Sequence, residues 1–196
     1  MSKTTIPTGG LADAAVTTAK ITDANITTAK IADDAVTSAK STAGITEVDQ
    51  WRLTTTFSGN ADPIASNWER VDTDGFGKIG TGMSESSGIF TFPSTGLYLV
   101  RAFLNAKATN MQYAGLIIKG TTDNFSSVDS NLANNYDSMG SGVDYFACVA
   151  CEAFFDVTNT STHKVKFNLN SQNTIAVEGS SDYQRTGVTF IRFGDT

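Results

Sequence analysis

The chain has a single histidine and two cysteines in 196 residues, and only 17% of its side chains are charged. The histidine, His163, stands between Thr162 and Lys164, and no Gly-x-Ser-x-Gly nucleophile turn accompanies it. A glycine-rich phosphate loop between a strand and a helix is also missing. Paired carboxylates of the glycosidase kind leave no local signature, but Glu152 falls within a strand pattern and most other acids fall in turns. No enzyme and no cofactor are expected. Lysine and arginine number 14 against 20 acids, for a net charge of −6. The clustered cations that neutralise phosphate are therefore lacking, and nucleic acid is not an expected partner. No apolar run approaches the ~20 residues of a spanning helix, and Met1–Gly10 has no apolar centre of the secretory kind. These absences predict synthesis in a cytoplasm and no membrane insertion.

Cys148 and Cys151 have the Cys-x-x-Cys spacing, which serves redox or metal chemistry only where both sulfurs point one way. Here they sit in an alternating run, Val143, Tyr145, Ala147, Val149, Cys151, Ala153, Phe155 and Val157. In a strand, residues three apart face opposite sides at ~10 Å, beyond the reach of a disulfide. Two buried structural thiols and no metal are expected. Asp72-Thr-Asp-Gly-Phe-Gly77 carries an Asp-x-Asp-Gly core but no distal Glu of a calcium loop, and reads as a turn.

Residues 11–40 are three copies of one decad: Leu-Ala-Asp-Ala-Ala-Val-Thr-Thr-Ala-Lys20, Ile-Thr-Asp-Ala-Asn-Ile-Thr-Thr-Ala-Lys30 and Ile-Ala-Asp-Asp-Ala-Val-Thr-Ser-Ala-Lys40. Leu11, Val16, Ile21, Ile26, Ile31 and Val36 recur every fifth residue. Five residues turn a helix by roughly 140°, so these side chains form no stripe. On a strand the same step flips the face each time. A segment this small cannot make its own core. The expectation is a stalk in which identical chains wind round one axis, built either from short helical turns capped by Asp and Thr or from an extended wrap. A low-complexity linker is the bland alternative, but it has no reason to keep the aliphatic period.

Residues 41–50 break the pattern as a linker, with Gly44 as its hinge. Alternation then predicts strands over 51–57 and 64–71. Two more are expected on either side of Pro93-Ser94-Thr95-Gly96, read together as a hairpin. Phe90 and Phe92 share a face, and Tyr98, Val100, Ala102, Leu104 and Ala106 make an apolar stripe at period two. Further strands are expected over 111–119, 143–157, 164–170 and 188–193. Residues 120–142 and 171–185 read as polar connections. Tyr136 and Met139 in the first are candidate contact residues of an exposed binding loop. Eight to ten strands without a helix predict an all-β, antiparallel two-sheet sandwich.

The order Phe90-Thr-Phe-Pro-Ser-Thr-Gly-Leu-Tyr-Leu-Val100 resembles the C1q-like globular head, a trimeric jelly roll related to tumour necrosis factor. Gly187-Val-Thr-Phe-Ile-Arg-Phe-Gly-Asp-Thr196 is similar to the aromatic strand that closes that family's domain. The resemblance covers roughly residues 51–196. It implies a jelly-roll head and a homotrimer, with Phe90, Phe92, Tyr98, Val100, Leu104, Val188, Phe190 and Phe193 supplying trimer and core packing. The decads, in turn, resemble stalk repeats of bacteriophage fibre and virion appendage proteins.

Together the two resemblances imply a virion-surface protein assembled in a bacterial cytoplasm. In that reading Met1–Gly10 anchors on other virion proteins, 11–40 forms the stalk, and the head adheres to a host-surface glycan or protein. The alternatives are a trimeric capsid decoration (cement) protein that stabilises the shell, and the tip of a tail needle.

Overall fold

The computed structural model describes residues 44–196, apart from 74, 111–112, 139–140 and 173, together with residues 10, 16, 17, 19, 21, 26–32, 35 and 36. The chain divides into two units, Met1–Thr42 and Ala43–Thr196. In the first, Thr28–Lys30 forms one 3-10 turn, closed by the Lys30 N–H on the Thr27 carbonyl at 2.9 Å. The backbone bends at Val16, Ile21, Ile26, Ile31 and Val36, and all five side chains are 40–58% exposed. Leu11 lies outside the described residues.

The second unit is a sandwich of antiparallel sheets. Its strands are β1 (Glu47–Leu53), β2 (Phe57–Ser58), β3 (Trp68–Arg70), β4 (Ser84–Ser86), β5 (Ile89–Thr91), β6 (Gly96–Asn110), β7 (Ala114–Thr121), β8 (Ser130–Asp137), β9 (Ser141–Val157), β10 (Lys164–Ser171), β11 (Ala176–Val177) and β12 (Gly187–Gly194). One sheet runs β3-β1-β12-β6-β9, with β11 and β2 beside the far end of β6. The other runs β4-β5-β10-β7-β8.

The two sheets meet on aromatic rings. Phe90, fully buried, has the rings of Trp51, Trp68, Phe167 and Phe190 at 5.4–5.5 Å, three of them edge-on. Such pairs add ~0.5–1.5 kcal/mol each beyond area burial. The Tyr98, Val100, Ala102, Leu104 and Ala106 stripe is buried beside Val188 and Phe190, as the period-two reading requires.

The 93–96 segment is not a hairpin. β5 pairs with β4 and β10, whereas β6 pairs with β9, β11 and β12, so the chain crosses from one sheet to the other there. Phe92 and Tyr98 consequently face each other through the core, with centroids 4.7 Å apart. Periodicity gives the buried face of each strand but not whether two strands are neighbours within a sheet or across it. Gly96 makes the crossing possible: its φ is +129°, and an added Cβ would come within 2.3 Å of the Gly194 carbonyl. Arg192, buried at the same end, donates to the Thr95 carbonyl (2.7 Å) and the Thr46 hydroxyl (2.8 Å).

Several boundaries depart from expectation. β1 opens at Glu47, inside the segment read as a linker, because its inward residue there is a charge. Asp49 is buried and accepts from Trp51 Nε1 (2.9 Å), the Met83 N–H (2.7 Å) and Arg70 Nε (2.9 Å). An ion pair thus occupies a position where alternation calls for an apolar residue. The second strand shrinks to Trp68–Arg70. The 120–142 stretch contains β8, a polar edge strand whose alternation is broken by a bulge opposite Ile118 and Lys119. The 171–185 connection likewise contains β11 and the buried Ile175 and Val177.

Before β8, Asp123 knits its loop. Its carboxylate accepts from the Ser127 hydroxyl (2.6 Å), the Thr121 hydroxyl (2.7 Å) and the backbone N–H groups of Ser126, Ser127 and Val128. These hydrogen bonds, the Ser127 and Thr121 hydroxyls foremost, hold its carboxyl far below the ordinary range.

Phe90→Ala should destabilise the head by about 3–5 kcal/mol, read as a lower urea midpoint; a loss under 1 kcal/mol contradicts a core centred on that ring. Asp123→Asn should cost stability at pH 6. The folded pKa is the lower one, so the contribution is complete above the unfolded value of ~4 and fades as pH falls through the folded value. Melting curves of the two proteins should therefore converge on acidification, and a constant gap from pH 6 downwards contradicts this role.

Candidate functional site

The seven-stranded sheet has a second face, and much of it is apolar. Register sets Val48, Ile191, Leu99 and Phe154 side by side across β1, β12, β6 and β9. Phe154 is 63% exposed, and its ring lies 5.7 Å from that of Phe193, which is 48% exposed. Leu97 and Phe103 on the same side of β6 are half-buried. The next row is polar: Gln50, Thr189, Arg101 and Glu152 occupy matched positions, and Gln50 Nε2 donates to Thr189 Oγ1 at 3.3 Å. Towards the other end of β9, Phe146 is 55% exposed, with Lys107 Nζ 5.5 Å from its centroid. Contiguous exposed apolar surface of this kind, edged by polar rows, marks an association surface.

This face and the expected packing residues overlap at one position only. Phe90, Phe92, Tyr98, Val100, Leu104, Val188 and Phe190 are all buried inside the chain. They supply the core, and none is available to a neighbour. Phe193 alone points outward. Of the residues that form the outer face, Leu99 and Ile191 belong to the half-apolar faces of 97–107 and 188–193 that the sequence offers as a seam, whereas Phe154 and Phe146 occupy the off-phase positions of a strand read only for its inward stripe. Reading both phases of 143–157 would have found the two phenylalanines, which are separated by an even number of residues.

The cysteines do lie on opposite faces of β9, and both are free. Cys151 contacts the Leu116 carbonyl at 3.7 Å, and burial pushes its thiol up to about 11. Cys148 departs from the buried expectation: it is exposed on the apolar outer face, with Sγ 3.1 Å from Asn105 Oδ1. Tyr136 belongs to the edge strand β8, not to a loop, and Met139 lies outside the described residues. His163 is buried between the hydroxyls of Thr158 (3.2 Å) and Thr162 (3.1 Å). Among the described residues no cluster of three His, Cys, Asp or Glu is arranged to hold a metal. None of their helices is long and apolar enough to cross a membrane.

With Cys148 replaced by serine, Cys151 should resist an aromatic disulfide reagent at pH 8 and react only as pH climbs towards 11. Labelling at pH 8 at the rate of an unstructured cysteine contradicts its burial.

No protein-family model matches the chain, and no curated protein matches it. Solved structures do. Murine APRIL, in its pH 5.0 crystal structure, is similar with a TM-score of 0.54 and 14% identity, over 74% of this chain and 98% of APRIL. Eiger TNF from S. frugiperda is similar with a TM-score of 0.55 and 10% identity, over 78% of this chain and 95% of Eiger. At such identities the likeness is one of fold. The head is a jelly-roll sandwich of the tumour-necrosis-factor type.

Proposed function

We propose that the chain is a bacteriophage virion structural protein, a homotrimeric spike or fibre whose head adheres to the host surface. The observation that carries the self-association is the outer face around Phe154, Phe193, Leu99 and Ile191, which no other strand of the head covers among the described residues. Obligate interfaces bury large apolar areas of this sort, commonly above ~2,000 Å². The five exposed decad aliphatics support the same conclusion, since a chain gains nothing by keeping them in register unless copies share them. The number three comes from the C1q-like resemblance, and the virion role from the resemblance of the decads to phage stalk repeats. Three weak head sites acting together then give adhesion by multivalency.

In the assembled protein Cys148 lies under the seam, which makes it a reporter. It should label slowly in the wild type and at least tenfold faster in Phe154→Asp. That substitution should shift the equilibrium towards single chains by about 2 kcal/mol or more, as for a central interface aromatic. Equal labelling in both proteins contradicts the seam. Counting copies on purified particles tests the virion role: a handful per particle fits a spike, hundreds fit the shell-decoration alternative, and none removes both.

A further inference from the structure

The five-stranded sheet carries a hollow of about 520 Å³ on its outward face, within the range of small-molecule sites. Its floor is β10 and β7, through Asn168, Asn170, Ile117 and Lys119; one wall is the 60–62 turn, the other Asn131 and Tyr136 of β8. We propose that this hollow binds a neutral pyranose saccharide.

Three features point to that chemistry. Asn168 is only 4% exposed, yet its Oδ1 has no hydrogen-bond partner, although its side chain also bonds Asp62. A buried acceptor is seldom left unmet; Asn168 lines the hollow, and its Oδ1, itself shut off from solvent, is met once the carboxamide turns towards a ligand donor such as a hydroxyl. Asn131 and Asn170 add carboxamides that can both donate and accept, as vicinal hydroxyls require, and Asn60, whose Oδ1 already accepts from the Ser171 N–H (2.7 Å) and hydroxyl (2.8 Å), adds a donor.

The site carries no free charge. Lys119 pairs with Asp129 (3.3 Å) and Asp62 (3.8 Å), and Lys166 with Asp129 (2.9 Å) and Asp62 (3.1 Å). Burial works to raise the Asp62 pKa, but Lys166 and Lys119 overcome it and hold the carboxyl below its ordinary value. Two cations matched by two anions select neither a phosphate nor a metal.

The third feature is a flat apolar wall. The Tyr136 ring lies across Gly115, where an added Cβ would come within 2.1 Å of it, and is braced edge-on by Tyr113 at 5.7 Å. Absence of a side chain at Gly115 is thus what lets the ring lie down on the sheet. With 46% of its surface exposed, it offers a platform for the C–H face of a sugar ring, as aromatic rings do for other apolar surfaces. The site's biological use rests on the adhesion reading; its existence does not.

The test screens the purified full chain against methyl hexopyranosides by saturation-transfer NMR and against an array of neutral and anionic oligosaccharides. At least one neutral pyranoside should receive saturation, with the signal lost in Tyr136→Ala and binding at least tenfold weaker in Asn168→Ala. Tyr136 is a surface residue, so its variant remains informative even where Asn168→Ala unfolds. Binding of no neutral sugar, binding of anionic sugars only, or wild-type binding by Tyr136→Ala each overturns the site. Adsorption of the same preparation to host cells separates the two proposals. Cells bound without any neutral sugar binding overturn the site and leave adhesion standing; sugar bound without cell adsorption does the reverse.

Discussion

A sheet in a sandwich has two faces, and one chain can cover only one of them with its own second sheet. In this head the inner face is covered by rings packed around Phe90. Among the described residues of the head nothing covers the outer face of the seven-stranded sheet, although Val48, Ile191, Leu99 and Phe154 run across four neighbouring strands. A solvent-facing antiparallel sheet ordinarily alternates apolar and polar residues. Keeping apolar residues in both phases has a use only if something else arrives to cover them. The decads state the same requirement in another form, with aliphatics at a period that no single helix or strand can bury.

The five-stranded sheet behaves differently on its outer side. Its outward residues on β10 are Lys164, Lys166, Asn168 and Asn170, and the lysines at 166 and 119 are matched by Asp62 and Asp129. Such exposed or half-exposed pairs stabilise little; their consequence is a neutral, carboxamide-lined surface. The two outer faces therefore divide by chemistry, one apolar and the other polar with its charges paired.

Much of the fold was legible because alternation is a direct image of burial. The stripe from Tyr98 to Ala106 is buried at each of its positions, and Val165, Phe167 and Leu169 likewise. What alternation could not carry was pairing. Phe90 and Phe92 precede a Pro/Gly turn that looks the same whether the next strand lies alongside or across the core. Asp49 hid the start of β1, since a buried carboxylate satisfied by Arg70, Trp51 and Met83 reads as solvent-exposed until those partners are known. The bulge beside Lys119 hid β8, and with it the placement of Tyr136 over Gly115. The half-apolar outer sides of 97–107 and 188–193 were legible as a seam, but the contribution of β9 lies in the off-phase residues of 143–157, beside an inward stripe of eight members.

The surface chemistry of the head leads to one quantity, the number of chains in the particle. Sedimentation equilibrium of the full-length protein, over a concentration range from micromolar down to nanomolar, measures it directly. The expected mass is that of three 20.7 kDa chains, with loss of assembly in Phe154→Asp. A single folded chain that keeps its native near-ultraviolet signal throughout the range, with Phe154 and Phe193 in water, would contradict it.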